Sequence, residues 1–160
     1  MTRAFSHLLR RFPVLMRMPY QLYSRVQPRF TIGVAAVVFN VEGRVLLVEH
    51  AYHPRFPWGL PGGWINADEE PAAAIQRELC EELQLDARAS RVVHVSKTAP
   101  RHIDFAFHCH ALKPIGKLSH ELLDYQWASV EDLPELKRFH RIAIESAVML
   151  ARGSQEWQRV

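Results

Sequence analysis

The chain has little cysteine, no long apolar run and, over its first quarter, no acid. Two cysteines among 160 residues, Cys80 and Cys109, cannot make a disulfide framework, and no Cys-X-X-Cys pair offers a zinc site. No segment approaches the ~20 consecutive apolar residues needed to cross a bilayer, which excludes a transmembrane helix. Internal repeats and low-complexity tracts are also missing. The net charge of +3, from 20 Lys+Arg against 17 Asp+Glu, is too small by itself to indicate nucleic-acid binding, and a nucleic-acid partner is not expected. What is present is ordinary globular composition, 48% hydrophobic and 23% charged, in a length that suits one domain with a sizeable core.

The charge is unevenly placed. Residues 1–41 carry Arg3, Arg10, Arg11, Arg17, Arg25 and Arg29 and no carboxylate before Glu42, so the remainder is net acidic. Within residues 1–29, Phe5, Leu8, Leu9, Phe12, Leu15 and Met16 recur at helical spacing, interrupted by Pro13 and Pro19. This basic amphipathic extension has three readings: packing on its own domain or on a second copy as a homodimer, contact with a membrane surface, or a targeting segment. Packing is favoured. No apolar stretch with a small-residue cleavage site follows it, so a secretory signal is not expected, and the protein is expected to be cytoplasmic.

From Phe30 the pattern becomes strand-like. Thr31–Phe39 and Arg44–Glu49 are apolar runs joined by Asn40-Val41-Glu42-Gly43, which reads as an antiparallel hairpin. Residues 51–66 hold prolines, glycines and aromatics in an ordered loop. Asp68 is the expected N-cap of a helix that runs to about Leu85, with Ala72, Ala73, Ile75, Leu79 and Leu83 at its apolar positions. Arg91–Ala99, His102–Lys113 and Leu122–Ala128 read as strands, and Ser129–Asp132 as a short helical turn. A last helix spans Phe139–Arg152 and stops at Gly153. Strands interleaved with two main helices make a single α/β domain over residues 30–160.

The most informative segment is Arg77-Glu78-Leu79-Cys80-Glu81-Glu82-Leu83. Residues three and four apart on a helix are neighbours, so Glu78 shares a face with Glu81 and Glu82. Such a cluster repels itself and is favourable only with a cation present. Oxygen ligands at this density suit Mg²⁺ or Mn²⁺, with no histidine or thiolate at matching spacing for zinc. A solvated acidic face is the plainer alternative. Glycines at Gly62-Gly63 let backbone approach a ligand closely, and Glu69 at the loop–helix junction can fold back onto Arg77. Cys80 is expected to pack inward.

Gly63, five residues, Glu69, seven residues and then Arg77-Glu78-Leu79-Cys80-Glu81-Glu82 resembles the Nudix box. Trp58-Gly59-Leu60-Pro61-Gly62-Gly63 is similar to the lead-in of many Nudix members, and Glu121, Trp127 and Val130-Glu131-Asp132-Leu133 to the family's later strand and turn. The resemblance covers about residues 30–135. It implies an α/β/α sandwich around a mixed sheet and metal-dependent hydrolysis of a nucleoside diphosphate linked to another moiety, a small-molecule substrate. Two positions depart from the pattern: Gln84 stands where glycine follows the acid cluster, and Asn66 where members often carry an acid. Without glycine a left-handed turn is costlier, so the helix is expected to end differently before Leu85.

On that resemblance Glu78 and Glu82 are the principal carboxylate ligands, Glu81 shares a second ion, and the carbonyl of Gly62 or Gly63 completes the shell. Glu121 is the remote candidate for a further ligand or a base. Glu69 and Arg77 are assigned to structure. Arg55, His53, Lys97 and Arg101 are candidates for phosphate or substrate contact, and Trp58, Trp64 and Tyr52 for stacking on a base. His102, His108 and His110 share a strand face without other ligands of zinc type, and are read as a polar sheet face. The expected activity is cleavage of a diphosphate such as ADP-ribose, towards which Pro100 is a slight pointer, or a nucleotide sugar. The alternatives are a nucleoside triphosphate pyrophosphohydrolase and a nucleotide-binding regulatory module with little turnover.

Overall fold

A computed structural model describes residues 22–23, 25–52 and 54–157, with side chains described no further than Arg152. Residues 1–30 and 31–160 are separate compact units. In the first, residues 22, 23, 25 and 26 are helical; the rest of the expected extension, and His53, lie outside the described residues.

In the second unit the elements run β1 (Thr31–Val38), β2 (Val45–His50), β3 (Trp58–Gly59), β4 (Gly62–Trp64), α1 (Pro71–Leu83), β5 (Ala87–Ala99), β6 (His102–Ala111), β7 (Leu122–Ala128) and α2 (Arg138–Trp157). Two sheets form. One is mixed, in the order β4-β1-β6-β5, with β1 and β6 parallel; the other is antiparallel, in the order β3-β2-β7.

The expected β1–β2 hairpin is therefore corrected. The turn itself is real: Asn40 Oδ1 accepts the amides of Glu42 and Arg44, and Gly43 takes a left-handed φ of 76°. Beyond a single bridge between Phe39 and Val45, however, the two strands part into different sheets. Both are apolar on both faces, and that pattern belongs to strands covered on two sides.

The coverings are the two helices. Val34, Ala36, Val38, Leu46, Val48, Phe107 and Cys109 pack with Ile75, Leu79 and Leu83 of α1. Ala35, Val37, Val45, Leu47 and Ala106 face the other way and pack with Phe139, Ala143, Ile144 and Ala147 of α2. Alternate residues of one strand thus serve opposite layers, and the result is the expected α/β/α sandwich. Cys109 is inert in this core, its thiol pushed up to about 12 by burial. Among the described residues, no helix is long and apolar enough to cross a membrane.

Several local expectations change. Cys80 is exposed, because Ile75, Leu79 and Leu83 set the buried phase of α1 and leave Cys80, Ala72 and Ala73 outside it. Ser129–Asp132 is a turn, closed by the Ser129 hydroxyl on Glu131 and by the Asp132 amide on the Ser129 carbonyl. Strand β5 begins at Ala87, earlier than expected, and α2 continues through Gly153 to Trp157. A glycine inside a helix costs about 1 kcal/mol relative to alanine, which does not stop a helix already under way.

Candidate active site

The site is assembled where β4 meets α1. Proline is tolerated in the first helical turn and forces the residue before it to be extended, so Pro71 puts the helix boundary at Glu70 (φ −72°, ψ 140°). This displaces Asp68, the expected cap; Glu70 caps the helix through backbone alone. Glu69 instead closes the preceding loop. Its Oε2 accepts the Asn66 amide at 3.1 Å, and its own amide donates to the Asn66 carbonyl at 3.2 Å.

Arg77 ties this loop to the acidic face. Its Nε and Nη2 donate to the two oxygens of Glu69, each at 2.8 Å, and Nη2 also donates to the Trp64 carbonyl at 2.9 Å. Nη1 donates to Glu78 at 2.8 Å and to Glu81 at 2.9 Å. One planar guanidinium therefore spends both edges on fixed acceptors, which a lysine could not reproduce. The bonds from Arg77, and then the Asn66 amide, hold the Glu69 carboxyl down at about 2.

Gly62 and Gly63 accommodate the other two carboxylates. A Cβ on Gly63 would stand 2.5–2.6 Å from the Glu78 carboxylate atoms, so only glycine lets that group lie against β4. Gly62 has φ 150°, a Cβ there would overlap the Val34 carbonyl, and its amide donates to Glu82 Oε2 at 2.9 Å. Glu82 is only 6% exposed, the one buried charged side chain among the described residues. Burial pushes its carboxyl up to about 8; the Gly62 amide works against that shift, and the charges of Glu78, Glu121 and Glu81 reinforce it.

These residues fit a hard divalent cation. A carboxylate buried among other carboxylates, with no nitrogen or sulfur donor in the set, is stabilised by a positive ion held through oxygen. The side chains do not yet surround one point: among the described residues no three acidic, histidine or cysteine groups are gathered as a ligand set. Glu78 and Glu81 lean on Arg77, and Glu82 on Gly62, each drawn to the nearest donor.

Beside Gly62-Gly63 opens a cleft of about 1050 Å³ between the mixed sheet and the start of α2. Lys97, Trp64, His102 and Asp104 line it from the sheet side, Lys137, just before α2, and His140, within it, from the other. A polar chain crosses its floor. Thr31 Oγ1 lies 2.8 Å from His102 Nδ1, His102 Nε2 lies 3.1 Å from Asp104 Oδ1, and the Thr98 hydroxyl donates to Asp104 Oδ2. Gly33 makes room for Asp104, since a Cβ there would overlap Oδ1. At the other side the Leu60 amide donates to His140 Nδ1 at 3.1 Å, over the space left by Gly59.

Of the expected substrate contacts, Lys97 and Trp64 line the cleft, Arg55, Arg101, Trp58 and Tyr52 do not, and His53 lies outside the described residues. Trp58 packs on the α2 side of the core, because its strand β3 pairs with buried β2; Trp64, 60% exposed, takes the cleft wall and lies 4.8 Å ring to ring from His102. Arg101 sits in the β5–β6 turn at φ 58°, its carbonyl accepting the Thr31 amide. Arg55 is exposed over the Phe56 ring at 5.3 Å, and Tyr52 is exposed. His108 and His110 contact each other at 4.6 Å ring to ring, while His102 belongs to the cleft. The His102–Asp104 pair was missed as a unit. Gly33 within a run rich in β-branched residues was its available signal, since a strand glycine marks close approach.

An acid-bearing helix docked against a Gly-Gly strand beside an open cleft is an arrangement suited to holding a cation next to a small molecule. The family model described as NUDIX domain matches residues 29–148, and the chain belongs to the Nudix hydrolase family. It is similar to the MutT-like protein of Streptomyces ambofaciens, 28% identical over 109 residues, 68% of this chain and 70% of that one. It is also similar to phosphatase NudJ of Escherichia coli K12, 23% identical over 137 residues, 82% of this chain and 88% of that one. Among solved structures it resembles an ADP-ribose pyrophosphatase from Streptococcus suis, at 26% identity and TM-score 0.62, over 76% of this chain and 92% of that one.

Proposed function

We propose that the protein hydrolyses the diphosphate linkage of a nucleoside diphosphate derivative, such as ADP-ribose or a nucleotide sugar, with Mg²⁺ or Mn²⁺ held by Glu78, Glu81 and Glu82 and a carbonyl of Gly62 or Gly63. The observation that carries this reading is the buried Glu82 carboxylate, fixed by the Gly62 amide and surrounded by the charges of Glu78, Glu81 and Glu121. A bound divalent ion supplies neutralisation of the diphosphate oxygens and a water of lowered pKa. Glu121 accepts the proton of the attacking water, and the P–O bond to the leaving phosphate breaks as the new one forms. Glu69 and Arg77 keep the loop and α1 in register during this step.

The cleft takes the part of the substrate that is not phosphate. Asp104 repels phosphoryl oxygens and accepts N–H or O–H donors, while Trp64 offers an aromatic face. Lys97 and Lys137 on the same walls suit the charge where the two parts join. The resemblance to an ADP-ribose pyrophosphatase supports a diphosphate substrate.

The test is an assay of ADP-ribose, nucleotide sugars and nucleoside triphosphates with and without Mg²⁺. Turnover of a diphosphate derivative to a nucleoside monophosphate, abolished by chelation, is expected. Preference for triphosphates overturns the substrate class, and tight binding without turnover of any of them overturns the reaction in favour of a regulatory binding module.

A further inference from the structure

The position that departs from the family pattern at the end of α1 is built into the site. Helix α1 ends at Leu83, and Gln84 follows in the left-handed conformation (φ 47°, ψ 32°). The expectation of a different ending is corrected: the Gln84 amide donates to the Cys80 carbonyl and the Leu85 amide to the Leu79 carbonyl, the usual closure of a helix with a left-handed cap. A side chain with a Cβ is disfavoured there, and glycine would adopt the cap without strain.

Gln84 supplies something glycine cannot. Its Oε1 accepts the Lys117 amide at 3.2 Å, and its side chain packs against Gly116, where a Cβ would stand 2.8 Å from Gln84 Cβ and 2.9 Å from Oε1. The neighbouring helix residues engage the same loop through backbone. The Leu83 carbonyl accepts the Gly116 amide at 2.9 Å, and the Glu82 carbonyl accepts the Ser119 amide at 2.8 Å. Carbonyls left open at a helix end are thus occupied by one passing segment. From Ser119 the tether continues: its hydroxyl accepts the Glu121 amide at 3.3 Å, and the Glu121 carbonyl accepts the Ala51 amide at 2.9 Å. The loop bearing Glu121 is therefore fastened to the very turn of helix that bears Glu82.

We infer that Gln84 is a positioning residue, whose side-chain amide clamps loop 112–121 to the end of α1 and so holds Glu121 in register with Glu82. The inference rests on the reading of Glu121 as a participant in hydrolysis. It separates two quantities that normally move together. Replacing Gln84 by glycine relieves the backbone but removes the side-chain clamp and leaves the loop held by the Leu83 and Glu82 carbonyls alone, so folding stability holds or rises while the reaction slows.

The experiment compares the full chain with Q84G, E121Q and the double variant. In Q84G, without added metal, hydrogen exchange of the Lys117 and Ser119 amides is expected to accelerate about tenfold or more, with no fall in the thermal midpoint. With the substrate that the unmodified chain turns over, kcat falls about tenfold and KM changes less than about twofold. In the E121Q background, Q84G lowers kcat no further, because the two act as one unit. Unchanged exchange at Lys117, unchanged kcat in Q84G, or losses that multiply in the double variant would each overturn the role of Gln84. An E121Q chain as active as the unmodified one removes Glu121 from the mechanism, and an unmodified chain inert on every diphosphate removes the hydrolase reading; either overturns this inference too, by a separate observation.

Discussion

Gly62 donates its amide to Glu82 Oε2 across 2.9 Å, and that bond joins the Gly-Gly strand to the one buried acid among the described residues. Held at about 8 mainly by burial, the Glu82 carboxyl is largely protonated at neutral pH. Glutamine closely mimics that protonated form and its oxygen keeps the Gly62 bond. Glu82→Gln is therefore expected to leave the thermal midpoint within a few degrees of the unmodified chain. On the proposed mechanism, in which a cation replaces that proton, the variant lacks a charged ligand, so kcat should fall about 100-fold or more. Normal turnover in this variant would move the reacting centre elsewhere.

Acid sensitivity follows from Glu69. Arg77 and the Asn66 amide hold its carboxyl down at about 2 in the folded chain, against an ordinary value of 4.5. A group whose folded value lies below its unfolded one contributes stability that is complete above the unfolded value and is lost as pH falls towards the folded one. The unmodified protein should thus lose stability between about pH 4.5 and 2 in part through Glu69. Glu69→Gln should be less stable at pH 7 and show a flatter thermal midpoint across that acid window. An equally steep acid limb in the variant would contradict the assignment.

His108 titrates in a higher window by the same logic. Burial, then the charges of His110 and Arg91, hold its imidazole below the ordinary value of 6.5, so the folded chain favours the neutral ring. The stability this contributes is present above the unfolded value and declines as pH drops below it. Urea midpoints measured from pH 7.5 to 5.5 should fall less in His108→Gln than in the unmodified chain, and identical slopes would exclude the effect.

How far these features could be read from sequence depends on how local their causes are. The acid spacing on α1, the alternation in β6 and the bracing of Glu69 on Arg77 follow from helix and strand periods and from chain reach. The β1–β2 relation did not, because a genuine turn at Asn40–Gly43 is followed by strands that each need two covered faces, and only the whole sandwich decides their partners. Cys80 was misplaced by one helical position, since Leu79 wins the buried phase. Trp58, Trp64 and Tyr52 look alike as stacking candidates in one loop, and only the pairing of β3 with β2 separates them, directing Trp58 to the core and leaving Trp64 on the cleft wall. Gln84 looked like a defect in the pattern until the loop that uses its side chain, thirty-three residues on, was in view.

The last prediction concerns the cleft. Gly33 lies under Asp104 so closely that a Cβ would overlap Oδ1, and His102 Nε2 would stand 3.2 Å from that same Cβ. Gly33→Ala must therefore displace Asp104 from His102 and Thr98, while α1, Gly62 and Gly63 are left in place. If the cleft receives the non-phosphate part of the substrate, the variant loses a binding contact and keeps its reacting groups. KM should rise about tenfold, the size of one well-made hydrogen bond, with kcat changing less than about threefold. Val34 and Val37 pack on either side of the same strand, so a circular dichroism melt should accompany the kinetics. A fall in kcat at constant KM would instead place Asp104 with the reacting groups and not with recognition.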